Sequence, residues 1–167
     1  MTLQTVTSPP TAAEWRAAMG YFPTGVTIVT TWDGEEPVGS TINAFCSVSL
    51  DPPLLLICLD LKNPIREAFE RSKVFGVNIL GADCRGVALR FAREPLTDRF
   101  SEFAWRAAPG GAPQLDAAPV FVDCVLQDLH MAGDHLVAIG RGVRTHIAPE
   151  ATPLLYHRGK FPTLGPA

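Results

Sequence analysis

The segment from Gly39 to Pro53 holds the densest group of side chains that could take part in chemistry. It reads GSTINAFCSVSLDPP and places three serines, one threonine and one asparagine within ten residues. Hydroxyl groups and backbone amides at this density can bind a phosphate or the edge of a polar ring without any charged side chain. The same composition also fits two strands whose polar faces are turned to solvent. Composition alone leaves both interpretations open.

Two more positions could belong to a binding site. Lys62 and Asn63 stand at the start of a predicted helix, where a cation and the free backbone amides would attract a phosphate. An exposed lysine on a loop is the alternative. His135 follows Gly133 and Asp134 in a tight turn before a strand, so its ring is expected to project from a strand end, either as a binding group or as a surface residue.

Common catalytic motifs are absent from the sequence. It contains no GxGxxG, GxxxxGK[ST], GxSxG or HExxH, which disfavours a Rossmann domain, a P-loop enzyme, an α/β-hydrolase and a zincin. The cysteines form no CxxC pair and the histidines lack metal-ligand spacing, so no metal site or disulfide framework is predicted. Cys58, Cys84 and Cys124 are expected to fill the core. A bound cofactor would therefore supply the reactivity of an enzyme.

The elements that must position these groups are mostly strands. Thr11 and Glu14 form a capping box that opens a short helix, and Asp33-Gly34 predicts a hairpin between strands at 26–32 and 37–43. The apolar run LLLICLDL, after a loop around Ser47 and Ser49, is expected to form a central strand buried on both faces. Further predicted elements are helices from Asn63 and at 84–91, and strands at 74–80, 120–129, 135–146 and 153–161. About seven strands without regular β–α alternation favour a closed or half-closed barrel.

The composition is that of one folded domain. The chain has 167 residues, of which 47% are hydrophobic and 19% charged. We expect a flexible N-terminal arm at 1–10 and a single domain at 11–167. A net charge of -3 disfavours nucleic acid and anionic membranes as partners. No apolar run reaches the roughly 18 residues of a membrane span and the first residues do not resemble a secretion signal, so a cytoplasmic location is expected.

Eight segments together resemble the flavin reductase family with the FMN-binding split-barrel fold. They occur in the family's order between about residues 14 and 164 and read MGYFPTGVTIVTT, GSTINAFCSVSLDPP, FGVNIL, LRFA, DRF, GAPQL, AGDHLVAIG and PLLYHRGKF. The resemblance implies a homodimer of mainly β split barrels of the Greek-key type. It also implies an enzyme that reduces FMN or FAD with NADH, or less often NADPH, and supplies free reduced flavin to a separate monooxygenase, expected to be an aromatic hydroxylase.

The resemblance also assigns residues of this sequence to two ligands. The positions implied for flavin are Thr41, Asn43, Ala44, Cys46, Ser47, Val48, Ser49, Lys62, Asn63, Phe91, Ala92 and Arg93. The positions implied for the nicotinamide are Pro23, Thr24, Gly25, His135 and Tyr156. Hydride transfer needs positioning rather than a protein base, so no catalytic residue is expected and His135 only assists docking. Hydroxyl and amide donors are expected to stabilise the reduced flavin, and Cys46 to contact it without a redox role.

Two other functions remain as alternatives within the same barrel architecture. One is a flavin-binding or haem-related split-barrel protein without turnover, which the Gly133-Asp134-His135 turn and Tyr156 disfavour. The other is a pyridoxal-phosphate oxidase, which the acidic chain with its scattered basic residues disfavours. Ser40 stands where the family often has a larger apolar residue, which leaves the preference between FMN and FAD open.

Overall fold

Strands make up most of the regular structure in the described part of the chain. The structure is a computed structural model and describes residues 8–148 and 151–164. The helices are α1 (Ala12–Met19), α2 (Arg66–Ser72) and α3 (Arg85–Arg93). The strands are β1 (Thr24–Gly25), β2 (Thr27–Asp33), β3 (Glu36–Ile42), β4 (Phe45–Leu50), β5 (Pro53–Asp60), β6 (Val74–Ile79), β7 (Trp105–Ala107), β8 (Pro113–Leu115), β9 (Val120–Ala132), β10 (His135–Ile147) and β11 (Leu155–Tyr156). The predicted fold class, mainly β with a few short helices, is confirmed.

Helix α1 begins where the capping box predicts. The Glu14 backbone N–H donates to Thr11 Oγ1 at 3.3 Å, and the Thr11 backbone N–H donates to the Glu14 carboxylate at 2.8 Å. None of the residues of α1 is buried, so the helix lies beside the barrel and outside its core. Most of the predicted N-terminal arm, residues 1–7, lies outside the described residues.

Seven strands form one antiparallel sheet in the order β3-β2-β6-β9-β10-β5-β4. The two edge strands, β3 and β4, are consecutive in the chain, and only Asn43 and Ala44 lie between them. Three Cα steps span at most about 11 Å, so the two edges must curl toward each other. The sheet therefore forms a barrel with a slit between β3 and β4, and the Asn43-Ala44 link lies at one end of that slit.

Two predictions about residues 45–60 are wrong. Ser47 and Ser49 lie on strand β4 and not in a loop, because this segment pairs with β5 along its length. Strand β5 is second from the sheet edge, and β9 is the central strand. The apolar run of β5 also alternates: Leu55, Ile57 and Leu59 are buried, whereas Leu54, Leu56 and Cys58 are only half-buried. The chain by itself covers one face of this strand, and the sequence pattern does not say what covers the other.

The packing under α3 fixes the position of β3. Phe91 of α3 is fully buried against Phe100, with the ring centroids 5.0 Å apart. A Cβ atom at Gly39 would lie 3.0 Å from the Phe91 ring, so this glycine allows the close approach of β3 to α3. The guanidinium of Arg99, 6% exposed, donates to the Gly39 carbonyl at 2.7 Å and to the Glu94 carbonyl at 2.8 Å. Burial lowers the pKa of the Arg99 guanidinium from its ordinary value.

Among the described residues, no helix has both the length and the apolar character needed to cross a bilayer.

Candidate functional site

Two cavities open beside the Asn43-Ala44 link. The smaller, of about 270 Å³, lies against α3 and is called the α3 cavity. The larger, of about 800 Å³, lies between α1 and the barrel and is called the α1 cavity. Asn43, Tyr156 and Gly159 line both, so the two spaces meet at these residues. This junction brings together residues that the sequence assigned to two different ligands.

The α3 cavity contains four of the predicted flavin-binding residues: Thr41, Asn43, Ala92 and Arg93. Thr41 Oγ1 donates to the Ala88 carbonyl at 2.7 Å, which ties β3 to α3. Because its proton is used in this bond, the Thr41 hydroxyl can only accept a hydrogen bond from a ligand. This differs from the expectation that the hydroxyls of this segment donate to reduced flavin.

Phe91 has a structural place in the molecule. Its side chain is 0% exposed and packs against Phe100 and Phe103. Its neighbours Ala92 and Arg93 are exposed and line the α3 cavity. Phe91 therefore holds α3 in place, and the surface available to a ligand comes from the two residues that follow it.

The remaining predicted flavin residues on β4 lie along the open edge of the sheet. Cys46, Ser47 and Val48 are exposed and Ser49 is half-buried. Strand β4 pairs with β5 on one side only, so backbone N–H and C=O groups on its other side have no strand partner. These amides and the serine hydroxyls are the donors that the slit offers to a ligand.

The α1 cavity contains Thr24 and Tyr156 from the predicted nicotinamide set. The two residues are directly paired between β1 and β11, with Pro23 and Gly25 exposed on either side of Thr24. Asn43 Nδ2 donates to Thr24 Oγ1 at 3.2 Å, which joins the two predicted sets. Tyr156 is half-buried and packs edge-to-face on Phe161, with the ring centroids 5.5 Å apart. The contact with Phe161 therefore orients the ring of Tyr156 at the junction.

His135 lies in a different group, next to Lys62 and Asn63. It pairs with Asp60 across β10 and β5, and the Leu61 backbone N–H donates to the Asp134 carbonyl at 3.0 Å. His135 Nδ1 lies 2.7 Å from the Asp134 carboxylate, and this hydrogen bond lowers the pKa of Asp134. When Nδ1 carries the proton of this bond, Nε2 is left to accept one from a ligand.

Asn63 is held by two bonds of its own. Its Nδ2 donates to Ser40 Oγ at 3.1 Å, and its Oδ1 accepts from the Ile65 backbone N–H at 3.1 Å. The bond to Ser40 connects the loop after β5 to strand β3 across the slit, and the bond from Ile65 fixes the side chain of Asn63 within that loop. Lys62 is exposed beside this connection. Lys62, Asn63 and His135 thus form one group, which is linked to β3 through the bond between Asn63 and Ser40.

Sequence reasoning missed most residues of the α1 cavity, among them Arg16, Phe22 and Arg158. Nothing in the sequence around Arg16 marks it, whereas Phe22 falls within the MGYFPTGVTIVTT segment, next to the predicted Pro23. Arg158 and Gly159 fall within the PLLYHRGKF segment. Assigning more of this segment than Tyr156 to the binding site would have included them. Among the described residues that line the two cavities there are three arginines, Arg16, Arg93 and Arg158, and no carboxylate.

Comparisons with known proteins identify the family of the chain. The family described as flavin reductase like domain matches residues 19–165. The chain is 39% identical over 153 residues to the reductase subunit HsaB of a flavin-dependent monooxygenase of Rhodococcus jostii, covering 91% of this chain and 77% of that protein. It is 42% identical over 127 residues to the stachydrine N-demethylase reductase subunit Stc3 of Rhizobium meliloti, covering 75% of this chain and 55% of that protein.

A solved structure supports the same family and shows the same fold. The NADH:FAD oxidoreductase SgcE6 of Streptomyces globisporus, in complex with NAD and FAD fragments, matches with a TM-score of 0.89 and 32% identity over 97% of this chain and 98% of that one. The resemblance read from the eight segments is confirmed, as are the split-barrel fold and the enzyme class. The chain belongs to the flavin reductase family.

Proposed function

We propose that the protein reduces FAD or FMN with NADH and releases the reduced flavin to a separate monooxygenase. The meeting of the two cavities at Asn43 and Tyr156 is the observation that carries this proposal. A hydride passes from the nicotinamide to the flavin only if the two rings are in contact, and these cavities provide adjoining places for them. The relatives named above, which include reductase subunits and an NADH:FAD oxidoreductase, support the choice of ligands.

The ring system of the flavin lies along the slit in this proposal. The hydride transfer itself is chemistry that flavin and nicotinamide supply when bound. The unpaired amides of β4 and the hydroxyls of Ser47 and Ser49 bind the polar edge of the flavin, and Thr41 and Asn43 fix one end of it. Its phosphate side extends toward Ser40, Lys62 and Asn63. No residue of the site has to act as a base, and the chain's contribution is orientation.

The nicotinamide lies at the junction beside Tyr156 and Thr24. Tyr156 is held by Phe161, and Thr24 by Asn43, so neither side chain has to be ordered when the ligand arrives. His135 lies beside Lys62 and Asn63 and lines neither cavity, and in this proposal it assists docking of the nicotinamide nucleotide by accepting a hydrogen bond through Nε2. Preformed contacts of this kind reduce the entropy lost on binding.

A homodimer is the assembly that we infer for this chain. The outer faces of β5 and β10 form one apolar surface, which consists of Leu54, Leu56, Cys58, Val137 and Ile139, all half-buried. Leu50, at the β4 end of the same sheet, is 92% exposed. Apolar side chains that lie together on an uncovered face are costly in water. A second copy that presents the same face would cover it and would also lie beside β4, where the flavin is proposed to bind.

The partner that receives the reduced flavin is a monooxygenase, with an aromatic hydroxylase as our specific proposal. The relatives HsaB and Stc3 are named as reductase subunits, which supports a separate oxygenase in this case too. Because the reductant is NADH, we place the reaction in the cytoplasm.

A direct assay tests the proposed function. The purified protein is mixed with NADH and either FMN or FAD, and the loss of NADH absorbance is followed. We expect turnover that depends on added flavin, with FAD and FMN compared at equal concentration. No flavin-dependent oxidation of NADH with either flavin would contradict the proposal. Tight flavin binding without turnover would instead support a flavin-binding protein.

A further inference from the structure

We propose that the α1 cavity binds the adenosine diphosphate half of NADH, and that Arg16 and Arg158 hold its two phosphates. This inference rests on the proposed function and specifies where the part of the dinucleotide that does not react is bound. The cavity begins at Tyr156, where the nicotinamide is proposed to lie, and extends from there to α1. It therefore offers space in the direction in which the rest of the dinucleotide must go.

The charges around this cavity favour an anion. Although the chain has 17 acidic and 14 basic residues, the described residues that line the α1 cavity include two arginines and no carboxylate. In the described part of the chain neither Arg16 nor Arg158 forms an ion pair. The closest acidic group on α1, Glu14, is used in the capping box at the other end of the helix. Two unpaired guanidinium groups at one cavity suit a pyrophosphate, since arginine binds phosphate oxygens with two donors at once.

The backbone at Arg158 supports a role for its side chain. Residues His157 to Lys160 form a tight turn in which the His157 and Lys160 backbones bond to each other, and Arg158 has a φ of 49°. A positive φ is unfavourable for an arginine, and such conformations concentrate at binding sites. The turn is fixed by the Arg158 backbone N–H, which donates to the Gly20 carbonyl at 3.2 Å. The guanidinium lies 4.4 Å from the centre of the Tyr21 ring, which holds it beside α1.

The apolar part of the cavity fits a purine. Met19 and Phe22, which are 51% and 75% exposed, lie on the α1 side of the same space. An exposed aromatic ring and a thioether can pack on the face of an adenine, which would cover them in turn. The cavity therefore combines two guanidinium groups with exposed apolar side chains, the two kinds of group that the phosphates and the adenine of a dinucleotide require.

The position proposed for the flavin phosphate favours NADH over FAD as the occupant. That phosphate is proposed to lie near Ser40 and Asn63, which line neither the α1 cavity nor the α3 cavity. A flavin bound in this way leaves the α1 cavity to the dinucleotide. Of the two described cavities that Tyr156 lines, the α1 cavity is the larger, and the α3 cavity is the one assigned to the flavin.

The test combines two variants with a matched control. Arg158→Asn removes the guanidinium and keeps a residue that tolerates a positive φ, and Arg16→Gln changes an exposed position on α1. Lys160→Gln removes a charge from the same turn at a residue that does not line the α1 cavity. Binding of ADP-ribose to the protein without flavin is measured by calorimetry, and the KM for NADH, FMN and FAD by steady-state kinetics.

We expect the dissociation constant of ADP-ribose and the KM for NADH to rise about tenfold or more in R158N and R16Q, as expected for the loss of a charge-assisted hydrogen bond. The kcat and the KM for FMN stay unchanged, and K160Q resembles the wild type. ADP-ribose binding that is unaffected by both variants, or equally weakened by K160Q, would overturn the inference. An increase in the KM for FAD alone would assign the cavity to the flavin and overturn it as well. If the wild type does not oxidise NADH with flavin, the proposed function fails, and the ADP-ribose titration still decides this site.

Discussion

Arg99 is expected to connect the stability of the barrel to the flavin site. Its guanidinium is 6% exposed and donates to the carbonyls of Gly39 on β3 and Glu94 at the end of α3. The change Arg99→Met keeps most of the side-chain volume and removes both donors. Gly39 is two residues from Thr41, and Glu94 follows Arg93, so both connected segments contribute to the α3 cavity.

The magnitude follows from these two bonds. Each hydrogen bond from a charged donor contributes about 1.5–3 kcal/mol to stability. The variant also removes the cost of burying a cation, which offsets part of the loss, so we expect the free energy of unfolding to fall by about 2 kcal/mol. Because β3 is no longer tied to the end of α3, the KM for flavin should rise while the KM for NADH changes little.

Urea unfolding and steady-state kinetics measure the two effects. The matched control is Arg71→Met, which removes an exposed ion pair with Asp33 and should cost less than about 1 kcal/mol. A loss of stability in R99M no larger than that in R71M would refute the energetic reasoning. A clear loss of stability with an unchanged KM for flavin would refute the connection to the site.

Three further predictions concern the nicotinamide, the dimer and the core. His135→Ala should raise the KM for NADH much more than that for flavin, and equal effects in kinetics would place His135 in the flavin site or the fold. Leu56→Glu should convert a dimer to monomers in light scattering, because it puts a charge on the face that we propose is covered; a monomeric wild type would contradict this. Asp123 on β9 is fully buried and accepts a hydrogen bond from the Gly110 backbone N–H. Burial raises the pKa of Asp123, and a group with a raised folded pKa loses its contribution to stability as the pH rises through that value. The free energy of unfolding of the wild type, relative to that of Asp123→Asn, should therefore fall as the pH rises above about 4. Urea unfolding at several pH values measures this difference. A difference that stays flat or rises would show that Asp123 is not protonated more readily in the folded state.

Local signals in the sequence predicted local structure well. The Thr11 and Glu14 capping box forms because its donors and acceptors are three residues apart. The Asp33-Gly34 hairpin also forms, since Gly34 takes the positive φ that the turn requires. Each of these features depends on neighbours within a few residues, so no knowledge of the rest of the chain is needed.

Tertiary features were harder to predict. The apolar run of β5 was expected at the centre of the sheet because continuous apolar sequence indicates burial on two faces, but it does not identify what covers each face. Ser47 and Ser49 were assigned to a loop because serine is common in turns, whereas pairing with β5 makes the segment a strand. Only Asp51 and Pro52 lie between β4 and β5, so this pairing is local, and the prolines at 52 and 53 concealed it because they indicate a loop.

The candidate site was predicted in part. The resemblance identified Thr41, Asn43, Thr24 and Tyr156, and the structure brings these residues to one junction. It did not identify Arg16 or Arg158, because lining a cavity depends on how α1 and the turn at 157–160 lie against the barrel. Isolated arginines in the sequence carry no signal of that proximity.

The central claim is that flavin and nicotinamide meet at the junction of the two cavities. A crystal structure of the protein with FMN and NAD⁺ bound tests it most directly. We predict that the flavin ring lies along Thr41 to Ser49 and that the nicotinamide stacks on it at about 3–3.5 Å beside Tyr156. A flavin bound away from this slit, or a nicotinamide that does not reach the flavin ring at Tyr156, would contradict the account.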